Sequence, residues 1–437
     1  MSLNNTTSHR AFCSQANPSV LCGNSQDQEG ETDRSHSGAA PVTGRVAAAR
    51  SLSRAVALLF SIACGLAVAN VYYAQPLLDV IAEEFAISRA SIGIVITVTQ
   101  IGYGLGLLLV VPLGDLLDRR RLVLGQSLLS VLALLAVAFA PSGVVLLGAI
   151  SAVGVLAVVT QVLVAYAAIL ADPAERGRVV GIVTSGIILG ILLARTVSGT
   201  LSDLFGWRSV YAVSAVATLI VAGLLFRTLP RQAKPEVHIS YPRLIGSVFL
   251  LFVQEPVLRI RAVLALLIFA AVTVLLTPMV LPLAAPPFSL SHTQIGLFGL
   301  AGAAGALGAS RAGRLSDRGL AQRTTGIGLA VMLVSWLPIA LLPYSLWALV
   351  IGVVAIDYGL QSVHVANQSL VYRVRPEAQS RLTAGYMIFY SIGSATGSIT
   401  STLAYAQAGW NGVCLLGASI CAVALVFWIS TRHLTPG

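Results

Sequence analysis

A cluster of charge, Asp115, Asp118, Arg119, Arg120 and Arg121, stands between two apolar runs at 92–113 and 122–140. Each run is close to the length that crosses a bilayer, about 20 mainly apolar residues. Two such runs joined by so short a charged link must fold back on each other, because only the link can stay in water. The pattern then returns: Gly313, Leu315, Asp317 and Arg318 repeat Gly114, Leu116, Asp118 and Arg119 at an offset of 199 residues, again between apolar runs.

Composition agrees with a chain built of such hairpins. Of 437 residues, 56% are hydrophobic and 10% charged, against about 25% charged in soluble domains. A net charge of +10 raises nucleic acid as a partner, but basic residues also mark cytoplasmic loops, and no nucleic-acid partner is expected. Cys13, Cys22, Cys64, Cys414 and Cys421 have neither pairing nor metal spacing, so disulfides, a metal site and a cofactor are not expected.

The repeat extends beyond the charged turns. Pro173, Arg178, Gly190, Gly206 and Trp207 correspond to Pro376, Arg381, Gly393, Gly409 and Trp410 at a constant offset of 203, as do Ser88, Ile92 and Gly93 to Ser291, Ile295 and Gly296. Spans are expected near 55–78, 91–113, 122–140, 144–171, 179–201 and 209–229. A second six follow near 261–285, 293–312, 324–342, 345–371, 382–406 and 411–431. The expected fold is an all-α integral membrane protein of 12 transmembrane helices in two pseudo-symmetric six-helix bundles. Repeated halves place a binding site at their interface near the bilayer midplane.

Four segments follow: a disordered cytoplasmic tail at 1–54, a first bundle at 55–229, a cytoplasmic linker at 230–260 and a second bundle at 261–437. The tail is polar and lacks apolar periodicity. The run at 55–78 is too long for a cleaved leader and is read as the first span. Within the linker, residues 244–253 are too few to span, so a helix lying in the interface is expected, with a thirteenth span as the alternative. With the tail inside, 24 of the 27 Lys and Arg residues fall on the cytoplasmic side, as the positive-inside rule requires.

Polar groups inside the spans are the candidate site. Arg195 in the fifth span costs about 2.5–3.5 kcal/mol at mid-bilayer on insertion scales, so it must face a cavity or a partner. A structural ion pair, a substrate or coupling role, and a place near a span end all stay open. Asp357 is the only carboxylate well inside an expected span, and Gln361, His364 and Gln368 continue its helical face. That stripe suits a proton relay or a hydrogen-bonded strut. Asn70, Tyr72, Tyr73 and Gln75 precede Pro76; Gln100 and Gln161 stand alone in their spans; Tyr386, Tyr390 and Ser394 form one stripe. Together they outline a polar cavity for an uncharged or amphipathic ligand. Asp79, Glu83 and Glu84 are expected at the extracellular mouth, in water.

The two charged turns, with the spans around them, resemble the loops of major facilitator superfamily transporters, and the resemblance covers essentially everything after residue 54. It implies secondary transport by alternating access. It also implies that Gly114, Asp118, Arg119, Arg178, Gly313, Asp317 and Arg318 form latch loops on the cytoplasmic side, with Arg178 as a partner for Asp118. Residues 69–76, 194–199 and 367–368 look most like bacterial sugar- and drug-efflux permeases. The Gly-Pro signature of proton-coupled efflux members is matched at Gly190 in its Gly alone.

The resulting expectation is a non-enzymatic secondary transporter of the bacterial inner membrane. It is a monomer with both termini cytoplasmic, taking a small-molecule substrate and protons within a lipid bilayer. An importer and a non-transporting receptor are the alternatives. An intramembrane enzyme would need paired acids or a metal set that the spans lack, and no Gly-Lys-Ser/Thr loop points to ATP.

Overall fold

The computed structural model describes residues 53–172, 175–229, 240–375 and 378–435. The expected tail, the start of the linker, Pro173, Pro376, Cys13 and Cys22 lie outside the described residues, as does the side chain of Asp317. Among the described residues the chain is helical, with no strand.

The first half holds α1 (Arg54–Tyr72), α2 (Leu78–Glu84), α3 (Ile94–Leu109), α4 (Leu113–Leu116) and α5 (Arg119–Ala138). It continues with α6 (Gly143–Ala157), α7 (Val159–Leu170), α8 (Arg176–Phe205) and α9 (Trp207–Thr228). After α10 (Tyr241–Gln254) come α11 (Pro256–Leu276), α12 (Val280–Ala284), α13 (His292–Leu297) and α14 (Gly302–Asp317). The last four are α15 (Ala321–Val334), α16 (Trp336–Ala340), α17 (Leu346–Val374) and α18 (Gln379–Thr431).

Nine segments among the described residues are long and apolar enough to cross a membrane. The longest, Arg381–Leu434, has 54 residues, enough for two crossings. It breaks at Ala408 and Gly409, where φ is −134° and 60°. The 16-residue α3 is shorter, and the run His292–Asp317 is broken into α13, a 3-10 turn and the 16-residue α14; they take the second and eighth places of the expected order. Large apolar side chains such as Leu132, Leu337, Ile351 and Leu415 stand exposed, the inverse of a water-soluble surface and suited to lipid.

Local chemistry explains the boundaries. Asp118 accepts from the Arg120 N–H at the head of α5, and Ser142 and Ser345 cap α6 and α17 in the same way. The first span breaks after α1 at Pro76, and the seventh after α11 near Pro278, because proline withholds a backbone donor.

The 203-residue repeat is visible in the backbone. Gly206 and Gly409 both have positive φ and end one helix before the next, and each is followed by a buried tryptophan. Gly190 packs against the Gly65 backbone and Gly393 against the Leu266 backbone, so α8–α1 and α18–α11 approach alike. In both places any Cβ would collide with a carbonyl oxygen.

The linker helix α10 has 14 residues, short of a span. Leu244, Val248 and Leu251 are buried along one face, while Phe249, Leu250 and Val253 are exposed. It ties both halves: Tyr241 Oη donates to the Leu109 carbonyl at 2.6 Å, and Phe252 stacks on Phe389 at 5.2 Å. Just beyond it, Glu255 pairs with Arg375 at 2.6 Å.

Candidate functional site

The two ends of the molecule differ. At the end carrying the arginine-rich turns, a cavity of about 460 Å³ lies between the halves, within the range of small-molecule sites. Its wall includes Arg119 and Arg176 from the first half, Arg381, Tyr372 and Thr383 from the second, and Leu244 and Val248 from α10. Among the described residues no Asp or Glu lines it. The opposite end is shut: Ser398 and Thr402 of α18 donate to the Gly93 and Ala90 carbonyls at 2.8 and 2.9 Å, and Thr196 of α8 donates to the Gly296 carbonyl at 3.0 Å.

Gln161 joins the cavity to the core, for it lines the cavity and donates to Tyr103 Oη at 3.5 Å. The Tyr103 ring meets Tyr390 edge-on at 6.2 Å, and the Tyr390 hydroxyl lies 3.0 Å from that of Tyr72. Arg195 sits over the Tyr72 ring at 5.5 Å and donates from Nε to Gln75 Oε1 at 2.6 Å. The buried Gln100 Oε1 has no partner among the described residues, leaving an acceptor free for a ligand.

Arg195 and Asp357 are 7% and 9% exposed, and they come from opposite halves. Each acts on the other's charge without forming a direct ion pair. Glycines in the turn before α14 and on α14 itself make the approach possible. A Cβ on Gly299 would stand 3.1 Å from Arg195 Cβ, and one on Gly302 would stand 3.7 Å from Asp357 Oδ2. Gly305 gives the same room to Gln361. Helical spacing thus places Asp357, Gln361 and His364 on one side of α17, but they meet different neighbours. His364 Nδ1 lies 3.0 Å from Tyr386 Oη, and its ring meets Phe269 at 5.2 Å, which in turn meets Tyr390 at 4.2 Å. The Asn367 Nδ2 group is buried without a partner among the described residues.

Other expected residues lie elsewhere. Asn70 accepts from Ser214 at 2.6 Å, and Tyr73 packs on Tyr211 at 6.4 Å, so both are satisfied inside the first half. Asp118 caps its own helix and stands 3.7 Å from Arg121, whereas Arg178 stands 3.7 Å from Glu175. The Asp118–Arg178 contact is not formed here, where the cavity between the halves is open. Arg119 and Gly114 line the cavity. In the second turn Gly313 lies inside α14, Arg318 is exposed, and Arg373 donates to the Ser316 carbonyl at 2.6 Å. Glu84 is not simply in water: it pairs with Arg208 at 2.7 Å and accepts from Trp207 Nε1 at 2.5 Å.

Sequence reasoning missed Arg261. It counts there as a loop charge, yet α11 begins at Pro256 and carries Arg261 to full burial. The guanidinium donates to Asn367, Thr325 and Thr435 at 3.2, 3.5 and 2.7 Å, while its Nε lacks a partner. Arg261 and Asn367 thus form a second buried polar cluster, while His364 and Tyr386 meet the Tyr72–Tyr390 group through the Phe269 ring.

Comparison with known proteins now has a geometry to meet. The family described as Major Facilitator Superfamily matches residues 58–360 and 262–437. A protein of Escherichia coli (strain K12) named as the transporter YgaY is 50% identical over 382 residues, covering 87% of this chain and 97% of that one. A Streptomyces coelicolor protein named as the transporter SCO4007 is 30% identical over 387 residues, 87% and 89% of the two chains. Among solved structures, a bacterial homolog of the human lysosomal transporter Spinster, inward-facing and unoccupied, has a TM-score of 0.71 at 16% identity. It covers 87% of this chain and 97% of its own.

Proposed function

The chain belongs to the Major Facilitator Superfamily, and we propose that it works as a proton-coupled exporter of small organic molecules from the bacterial cytoplasm. The observation that carries this reading is the burial of one carboxylate, Asp357, and one guanidinium, Arg195, from opposite halves in a single polar core. An ionised Asp357 attracts Arg195 across the interface, and the attraction is strong where water is scarce. Protonation removes it, so proton occupancy biases which end opens.

Positive-inside asymmetry supports a cytoplasmic position for the cavity end. Substrate enters there, meets the arginine-bearing wall, and reaches Gln161, Tyr103, Tyr72 and Tyr390, whose hydroxyl and amide groups offer hydrogen bonds to an uncharged or amphipathic molecule. Asn70, Tyr73 and the Asp118, Arg178, Asp317 and Arg318 group act at a distance from the substrate: the first two shape the first bundle, and the others close the cytoplasmic end in the opposite state. One chain holds the whole pathway, so a monomer suffices.

Inverted membrane vesicles with an imposed acid interior test the reading, with radiolabelled hexoses and ethidium as probes. Export predicts gradient-driven uptake of a probe, lost in Asp357→Asn at unchanged expression. Accumulation only in right-side-out vesicles points to an importer, and gradient-driven uptake that survives in Asp357→Asn removes Asp357 from coupling.

A further inference from the structure

At the end opposite the cavity, three titratable side chains from both halves meet at one point. His292 opens α13 in the second half, whereas Asp79 on α2 and Asp203 near the end of α8 belong to the first. His292 Nδ1 lies 2.9 Å from Asp203 Oδ1, and Nε2 lies 3.1 Å from both Asp79 oxygens. The backbone N–H groups of His292 and Thr293 donate to Asp203 at 3.1 and 2.8 Å, and the Thr293 hydroxyl at 2.6 Å. The His292 carbonyl abuts Gly199, where any Cβ would collide with it. Glu84 and Arg208, the other charges bonded at this end, are paired with each other and not with the ring.

A neutral imidazole has one N–H and one bare lone pair. With a carboxylate at each nitrogen, the neutral ring must turn that lone pair on an oxygen. Only the imidazolium donates at both ends. We propose that Asp79, His292 and Asp203 form a proton-binding site in the outer gate, which takes one proton from the external side each time the two halves close there. A ring nitrogen gains an N–H bond as an O–H bond of external hydronium breaks and leaves water, and the proton returns to water on the same side on opening. The site therefore biases the gate with external pH, and it is separate from Asp357.

Side-chain exposures of 18% for His292, 24% for Asp79 and 25% for Asp203 leave the cluster within reach of water. The Asp79 hydrogen bond, then the Asp79 and Asp203 charges, hold the imidazole above its ordinary range against the opposing effect of burial. Its stabilisation of the closed gate is complete below the free imidazole's value of about 6.5 and is lost as pH rises through the raised value. Within that window one linked proton changes the closed-to-open ratio by up to about tenfold per pH unit.

The inference rests on the reading that the halves rock against each other, and one experiment separates the two. Cys13 and Cys22 are replaced by Ser, Cys64, Cys414 and Cys421 being buried. Spin labels are placed at Phe205→Cys and Tyr344→Cys, exposed positions of the first and second halves at this end. Double electron–electron resonance on the full chain in nanodiscs is recorded at about pH 5.5 and about pH 8.5. The expected result is a short distance dominating in acid and a long-to-short ratio about tenfold higher in base. His292→Gln, compared with its parent in an Asp357→Asn background that removes the other proton-linked group, should show the same ratio at both pH values. Asp79→Asn in that background, whose amide can donate to an unprotonated Nε2, should stay short at both. An unmoved ratio in the wild type or the parent, or a His292→Gln protein that keeps its parent's response, overturns the site. Gly199→Leu wedges α8 from α13 at any pH. If it lengthens the distance while pH does not, rocking stands and the proton site falls; if neither acts, the rocking reading falls too.

Discussion

Gly93 at the head of α3 packs on the Ser398 carbonyl of α18, and Gly296 on α13 packs on the Arg195 carbonyl of α8. The two contacts are copies, for 93 and 296, like 195 and 398, differ by 203 residues. Each closes one seam between the halves at the end away from the cavity. Their backbones approach equally, because in both a Cβ on the glycine would collide with the facing carbonyl. Their side chains differ. The α3–α18 seam is stitched by Ser398, Thr402 and Thr97 hydroxyls donating to carbonyls at 2.8, 2.9 and 3.0 Å. The α8–α13 seam carries Arg195 toward the core and the Asp203–His292 contact at its outer edge. Shared geometry is thus what lets the gate close, and charge on one seam alone is what lets it respond.

If the backbone contact is the common element, enlarging either glycine should do equal and large damage. Overpacking against a rigid neighbour costs about 1–3 kcal/mol, and here the neighbour is a backbone carbonyl. Gly93→Leu and Gly296→Leu should each lower gradient-driven flux by about 10–100-fold, with cavity-end labels still accessible to reagent. A large loss in one and none in the other would break the pseudo-symmetry of the seams.

Side-chain deletion should separate what the wedges leave alike. Arg195→Ala removes a charged hydrogen bond, worth about 1.5–3 kcal/mol, strands Gln75 and leaves Asp357 without a nearby cation. Flux should fall about tenfold or more, and any anionic substrate should bind more weakly by isothermal titration. Unchanged binding and flux would reduce Arg195 to filler in its seam.

Which of these features the sequence discloses depends on how many segments must meet to make them. The repeat is legible because Gly206 and Gly409 must take positive φ and Trp207 and Trp410 must follow them, so local chemistry leaves the same mark twice. The face shared by Asp357, Gln361 and His364 is legible because one helix sets it. Gln75 as the partner of Arg195 is not, since 120 residues separate them. The clamp at His292 needs α2, α8 and α13 together, and no spacing within one helix announces it. Arg261 escapes for another reason: counting charges near span ends cannot see that its helix starts five residues earlier, at Pro256. The expected Asp118–Arg178 contact is absent here because each side chain pairs within its own turn, and a choice between partners is not written in a linear order.

The smallest effect should come from the quiet seam, and it sharpens the comparison most. Ser398→Ala removes one neutral hydrogen bond, to the Gly93 carbonyl, worth about 0.5–1.5 kcal/mol. That carbonyl still accepts from the Thr97 N–H at 2.9 Å, so the low end of the range applies. Flux should drop by about threefold at most. Among the described residues no ion pair spans α3 and α18, so the pH response of the gate should be that of the unmodified protein. A Ser398→Ala protein that loses its pH response would show that closure is sensed through both seams, and the division of labour between them would have to be given up.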